Sequence, residues 1–376
     1  MKRITALVIL SLLLLVSPIY AAAPAPMLVY VDQSNHSFIP LRLLNSYEGI
    51  TFNKTAADKK IEIAQGNTRI TLFTGKSTAK VNDQTVRLQN APFTDYGSTY
   101  VPLQFISQYL NLQVSWQKET SAVRIKQGTT SVTLPVLTGK LPGNTTPITT
   151  AHKSFKVGSR TFSAKVVTIS MLHPKVSLDV ALAGNTIGKV EDLSSLAKRN
   201  QAVVAINGTY FDAYTKSSYK TPYGYLVSHG KMLKKSSGDQ RTVFTYDVNH
   251  LSELMSGSAF EQRLSQGSVE GALQAGPRLV TNGQVSLNVK AEGFKDPKIL
   301  TGGGARSALG MSRDHKLILL TTSGATIPQL AQMMKQAGAY QAMNLDGGAS
   351  SGLYYNGSYL TTPGRQISNA IIVKYQ

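Results

Sequence analysis

The chain has no cysteine. Disulfides and thiolate metal clusters are therefore excluded, and an exported domain of this kind is stabilised by its core alone. Histidine is sparse. The six, at positions 36, 152, 173, 229, 250 and 315, never fall at ligand spacing, so no zinc site is indicated. Acidic residues are also few, with 20 Asp+Glu against 39 Lys+Arg. Beyond the first residues there is no long apolar run.

The first residues do carry an apolar run, but one short for a membrane span. Lys2 and Arg3 precede ITALVILSLLLLV, and small residues follow at Ala21 to Ala23. A basic n-region, a short apolar h-region and a small-residue cleavage site predict a signal peptide over residues 1–23. The mature chain is then expected outside the cell, secreted or wall-associated. Without disulfides, a bacterial envelope fits better than an animal secretory route.

The positive charge is unevenly spread. Residues 24–128 carry 11 Lys+Arg and 7 Asp+Glu, whereas residues 129–376 carry 26 and 13. Such a field favours anionic partners. Outside the cell that means an anionic cell-wall polymer or lipid surface rather than nucleic acid.

An internal repeat marks a first domain. FIPLRLLNSYEGITFNKTAADKKIEIAQG from Phe38 aligns without gaps with YVPLQFISQYLNLQVSWQKETSAVRIKQG from Tyr100, at a constant offset of 62. A gapless fixed offset indicates duplication. Each copy reads as a Pro-led helix followed by two strands, and the stretch between the copies alternates as hairpins turning at Asn82-Asp83 and Tyr96-Gly97. Residues 129–152 are rich in Thr, Pro and Gly, which predicts a linker or an extended crossover.

From Lys153 onward strands dominate. Hairpin turns are expected at His229-Gly230, Asn282-Gly283, Arg313 to His315 and Asn356-Gly357. VEDLSSLAKRN reads as a helix with an acidic cap. TIPQLAQMMKQAG reads as an amphipathic helix capped by Thr326 and closed by Gly338. The expected class is α+β: a mixed, largely antiparallel sheet domain over residues 153–376, preceded by a small duplicated α+β domain over residues 28–128.

Three polar clusters stand where apolar strands stop: NGTYFD (Asn207 to Asp212), GGGARSALG (Gly302 to Gly310) and NLDGGASS (Asn344 to Ser351). Strand ends are rigid scaffolds for sites. Taken singly, each cluster is first of all a turn, and Asp346 alone reads as a turn cap pairing with Arg306. Other chemistries fail on context. GASSG, Gly348 to Gly352, has no histidine after it, as a serine-hydrolase elbow requires. TGGGARS lacks the Lys-Ser/Thr ending of a P-loop. STAK and SLAK have no Lys-Thr-Gly partner.

The first domain resembles the copper amine oxidase N-terminal-like family, on the paired Ile39-Pro40-Leu41 and Val101-Pro102-Leu103 and the strands after them. That family is common in exported proteins of Gram-positive bacteria. With His36 as its one histidine, this region has no copper ligand set, and it is expected to be a non-catalytic wall-binding or spacing module.

The second domain resembles the phosphodiester glycosidase family over about residues 160–376. The resemblance rests on AINGTYF, AGPRLV, ARSALG, NLDGGASS and GRQISNAIIV taken together, in order and spacing. Ala305 and Ser307 stand where Pro and Thr are usual, and Ala349 stands for a third Gly. The resemblance implies hydrolysis of a sugar joined through its anomeric carbon to a phosphodiester, with GlcNAc-1-phosphodiester as the leading substrate type.

On that reading Asp346 is the carboxylate at the developing oxocarbenium ion, and Arg306 is a bidentate fork for the phosphate, with Arg365 as a second cation. Asp212 is a candidate second carboxylate. Asn207, Thr209 and Asn344 are expected to bind substrate. Gly347 and Gly348 would admit it to the backbone, and Ser350 and Ser351 would bond its oxygens. No cofactor or catalytic metal is expected, while a carboxylate-bound structural calcium stays open, as does the oligomeric state. The competing expectation is a non-catalytic binder of anionic glycan.

Overall fold

The computed structural model describes residues 25–57, 59–141, 145–238 and 240–376. The predicted signal peptide lies outside the described residues. Strands predominate, and among the described residues every strand pairing is antiparallel except that of Val29–Val31 with Thr130–Thr138.

The duplication is visible element by element. A 3-10 helix at Leu41–Ser46 matches an α-helix at Leu103–Tyr109, both entered through a proline. The strand Lys60–Gln65 matches Ala122–Gln127, each bound displaced by the sequence offset. The displacement continues one strand further, from Thr68–Phe73 to Thr130–Thr138. Gln65 faces Thr68 in the first copy, and Gln127 faces Thr130 in the second. Leu72 and Leu134 are both fully buried in the same core.

That continuation corrects the expected linker. Residues 129–152 hold the strand Thr130–Thr138 of the first domain and, from Ile148, the opening strand of the second, Ile148–Val157. The Thr-rich composition reflects β-branched strand residues as well as turn residues.

The second domain is built from three sheets around one core. A seven-stranded sheet runs in the order Ile148–Val157, Arg160–Ser170, Lys316–Ala325, Gly304–Met311, Gln341–Asn344, Arg278–Thr281, Gln284–Val285. A five-stranded sheet runs Val176–Leu182, Asn369–Tyr375, Val204–Asn207, Leu353–Tyr355, Ser358–Thr361, and a second five-stranded sheet is centred on Gly271–Gln274.

Period-2 alternation decides which side chains meet. Val167, Leu309, Leu319 and Met343 face Val204, Ile206 and Ile371 in the shared core. Their strand neighbours Val166, Ala308, Leu320 and Ala342 face outward, under Leu330, Met333 and Met334 of the helix Ile327–Gln336. That helix has the expected Thr326 cap, completed as a capping box by Gln329. The helix Leu193–Arg199 covers the outer face of the first five-stranded sheet. Its expected acidic cap is not made: Asp192 accepts no cap bond, and Glu191 instead pairs with Arg199 at 2.6 Å.

The expected turns form, with Asn82-Asp83, His229-Gly230, Asn282-Gly283 and Asn356-Gly357 all at positive φ. The two domains dock through Leu172, which packs with Leu28, Phe38 and Tyr100, and through His315 Nε2, 2.9 Å from the carbonyl of Ser121. His315 precedes the strand Lys316–Ala325. The first domain therefore sits at the opposite end of that strand from Ala325, beside which the polar clusters gather.

Candidate functional site

The three polar clusters come together at one end of the sheets. Asn207 ends its strand, Asn344 ends another, and Arg306 lies near the start of a third. Hydrogen bonds tie the three. Asn207 Nδ2 donates to the carbonyl of Asp346 at 2.7 Å, while its Oδ1 accepts from Ser307 Oγ at 2.7 Å and Gly352 N at 3.0 Å. The N–H of Asp346 donates to the carbonyl of Gly208 at 3.0 Å. The Asp346 peptide is thus held from both sides by the Asn207-Gly208 turn.

The Asp346 carboxyl accepts from the Ser350 side chain and the Gly347 N–H. Burial pushes its pKa up to about 7, against those two bonds and the nearby charge of Arg365, which lower it. The residue keeps part of its surface accessible. A carboxyl poised near neutrality beside a cation can act as base, nucleophile or electrostatic stabiliser.

Arg365 is partly accessible and is positioned by its own loop. Gly364 N donates to the carbonyl of Ala349 at 2.7 Å, and Pro363 packs so closely on Gly352 that a Cβ there would lie 2.3 Å from the proline ring. The loop carrying Arg365 is therefore clamped to the loop carrying Asp346. Its Nη2 donates to the Tyr214 hydroxyl at 2.7 Å.

Arg306 does not present the expected bidentate fork. It is 3% exposed. Nε donates to the carbonyl of Ala325 at 3.0 Å, and Nη2 donates to those of Lys298 and Gly302 at 2.6 and 2.8 Å. Only Nη1 remains on the side of Gly347, where an added Cβ would lie 3.5 Å from it. Burial lowers the guanidinium pKa from its ordinary value. Nor does Arg306 form an ion pair with Asp346 among the described residues.

Arg306→Lys is accordingly expected to lose about 2–4 kcal/mol of stability, because one ammonium cannot serve three diverging carbonyls. Urea unfolding checks this. An unchanged midpoint would return Arg306 to the ligand side.

Other expected ligand residues are also consumed by the frame. Thr209 is buried, its N–H donating to Asn369 Oδ1 at 2.9 Å and its hydroxyl to the carbonyl of Tyr223 at 2.5 Å. Asn344 Nδ2 donates to the Tyr210 hydroxyl at 2.7 Å and the carbonyl of Gly276 at 3.0 Å. Gly347 admits protein rather than ligand, since an added Cβ would lie 3.0 Å from the carbonyl of Ala305. Gly348, at φ 60°, has open space where its side chain would be. Asp212 caps a turn, its Oδ1 accepting from Thr215 N at 3.1 Å.

Two buried polar atoms of the Asp346 segment, Asn344 Oδ1 and Ser351 Oγ, have no hydrogen-bond partner. Desolvated acceptors and donors of this kind are costly unless a ligand or water completes them. Among the described residues no three His, Cys, Asp or Glu side chains gather as a metal site.

Three contributors were not singled out from sequence. Asn369 holds both Thr209 and Gly208, the latter through its carbonyl at 2.9 Å. A Cβ on Gly208 would lie 2.1 Å from Asn369 Oδ1, so only glycine fits there. Tyr210 links Asn344 to Gly276, donating to the latter's carbonyl at 2.8 Å, and its hydroxyl pKa is raised by burial and then by the charge of Asp346. Tyr214 stands exposed against Arg365. The aromatic residues of NGTYFDAY were the available signal for the two tyrosines, whereas Asn369 looks like an ordinary strand residue.

Comparison with known proteins shows what these features are similar to. Residues 200–374 match the phosphodiester glycosidase family model, and residues 22–125 and 92–164 match the copper amine oxidase N-terminal domain in two overlapping stretches, as a duplication would. The N-acetylglucosamine-1-phosphodiester alpha-N-acetylglucosaminidase of Mus musculus is 28% identical over 183 residues, which are 43% of this chain and 33% of that protein. The chain thus spans about a third of the length of the mouse relative it matches.

The fold is similar to the catalytic domain of the zebrafish enzyme of the same name, a structure auto-inhibited by its pro-peptide. The TM-score there is 0.53 at 22% identity, covering 62% of this chain and 85% of that one. It is also similar to a hypothetical protein from Synechocystis, with a TM-score of 0.53 at 15% identity over 91% of this chain and 94% of that one. The chain thus joins a stretch that matches the phosphodiester glycosidase family model to one, ahead of it, that matches the copper amine oxidase N-terminal domain.

Proposed function

We propose that the second domain hydrolyses the bond between the anomeric carbon of a sugar and a phosphodiester, in material of the bacterial cell envelope or an exopolysaccharide. The observation that carries this reading is the Asp346 carboxyl, raised toward neutrality and set beside Arg365 on two loops clamped together. The family match and the activity for which the mouse relative is named support this choice of substrate class.

In the proposed reaction the C1–O bond breaks, the phosphate leaves as a monoester, and water supplies the hydroxyl of the freed sugar. A phosphate monoester departs with less protonation than an alkoxide, so the main requirements are a cation at the phosphate and a carboxylate at the developing oxocarbenium ion. We assign Arg365 to the first and ionised Asp346 to the second. Arg306 and Asn207 hold the frame that aims them. Asn344 Oδ1 and Ser351 Oγ are offered to substrate oxygens or to water.

Export rests on the charge and apolar pattern of residues 1–23, and wall association on the net positive balance of the chain. The test is release of free sugar from sugar-1-phosphodiesters, led by GlcNAc-1-phosphodiester, by the purified mature chain with and without chelator. Release is expected. No release from any substrate, together with tight binding to anionic wall polymer, would replace catalysis by glycan binding.

A further inference from the structure

Tyr214 is 80% exposed, yet it is held in place. Its hydroxyl accepts from Arg365 Nη2, and the same guanidinium stacks over one ring face, 4.7 Å from the centroid. A cation on one face polarises the ring without covering the other.

The loop behind it is built. Asp212 Oδ1 accepts from Thr215 N, Thr215 Oγ1 from Ser217 N at 3.2 Å, and Ser217 Oγ from Tyr219 N at 3.0 Å. Lys220 Nζ donates back to the carbonyl of Thr215. The Tyr219 ring lies where only glycine leaves room, since a Cβ on Gly188 would be 2.3 Å from it. The far end is pinned by Lys220 N on the carbonyl of Gly188 at 2.8 Å.

Electrostatics give the address. After Arg365, the charges acting on the Tyr214 hydroxyl are those of Lys298 and Asp346. The ring itself lies against Arg365, whose loop is clamped to the loop carrying Asp346.

We propose that Tyr214 is a specificity residue that contacts substrate, its open ring face stacking on the pyranose of a sugar-1-phosphodiester while its other face steadies Arg365. This rests on the glycosidase reading. The apolar C–H face of a pyranose suits a flat aromatic surface, and a ring fixed before binding loses little entropy on contact. Asp212, expected from sequence as a second carboxylate, becomes on this view a positioning residue for the Tyr214 loop.

The test compares wild type, Tyr214→Ala and Tyr214→Phe in two assays. One is turnover of GlcNAc-1-phosphodiester; the other is calorimetric binding of GlcNAc 1-phosphate and of inorganic phosphate. Tyr214→Ala is expected to weaken GlcNAc 1-phosphate binding about tenfold and to raise KM more than it lowers kcat. Its affinity for inorganic phosphate should fall much less. Tyr214→Phe, which keeps the ring and loses the bond to Arg365, should recover most of the loss.

Equal damage in both variants would overturn stacking in favour of the hydroxyl bond. An alanine variant that binds sugar phosphate like wild type would overturn the proposal outright. If wild type releases no sugar, the glycosidase reading fails, while the binding comparison still decides whether Tyr214 takes the sugar.

Discussion

Asp346→Asn is expected to lower sugar release roughly a thousandfold or more while making the protein more stable above pH 7. The two effects have one cause. Burial raises the carboxyl pKa to about 7 from an ordinary 3.8. The folded state therefore binds this proton more tightly than the unfolded state does. Stability contributed by that proton is present below the unfolded value and is lost as pH rises from 3.8 to 7.

At pH 8 the folded protein carries the full penalty of an ionised, desolvated carboxylate. Asparagine removes the charge and still accepts a bond at its carbonyl oxygen. Discounted for the exposed part of the residue, the gain is about 2 kcal/mol, or a rise in melting temperature of roughly 4–8 °C. At pH 3.5 the difference should nearly vanish.

On the proposed function the same carboxyl is expected to set the rate profile of the wild type. If the ionised form acts, kcat/KM rises with pH on a limb with an apparent pKa near 7. Melting curves at pH 3.5 and 8 and a rate profile from pH 5 to 9 check all three statements. A variant that loses stability at pH 8 would mark Asp346 as a structural cap, whatever its activity.

The fold was legible where local chemistry decides it. The duplication shows in a constant offset, and the turns show in Asn-Gly and His-Gly pairs that tolerate positive φ. The missed strand Thr130–Thr138 was within reach: Ile70 and Leu72 of the first copy correspond to Val132 and Leu134. Composition hid what the repeat could have given.

The site was legible as a place and not as a set of roles. Asp346, Arg306 and Asn207 do converge. Whether each polar group serves ligand or frame depends on partners far off in sequence. Thr209 meets Asn369 across 160 residues, Asn207 meets Asp346 across 139, and Ser307 meets Asn207 across 100. Nothing local in NGTYFD distinguishes an asparagine that binds sugar from one that binds a peptide carbonyl.

Asn207→Ala tests that distinction most sharply. Asn207 is 1% exposed, and its amide serves the Asp346 carbonyl, the Ser307 hydroxyl and the Gly352 N–H together. Deletion strands three partners at a buried position, each loss costing about 1–3 kcal/mol and not adding fully. A net loss of about 3–5 kcal/mol is expected from urea unfolding, with activity falling because the Asp346 peptide is no longer held.

Ser307→Ala removes only one of the two donors to Asn207 Oδ1, leaving Gly352 N in place, and should cost about 1 kcal/mol. Asn207→Asp keeps the acceptor and sets a carboxylate against the Asp346 carbonyl, so it should be worse than Ser307→Ala at pH 8 and recover toward acid. A sugar-binding asparagine would behave otherwise, raising KM in the alanine variant at unchanged stability. The order Asn207→Ala, then Asn207→Asp, then Ser307→Ala in stability lost at pH 8 therefore separates a frame residue from a ligand residue without reference to the substrate.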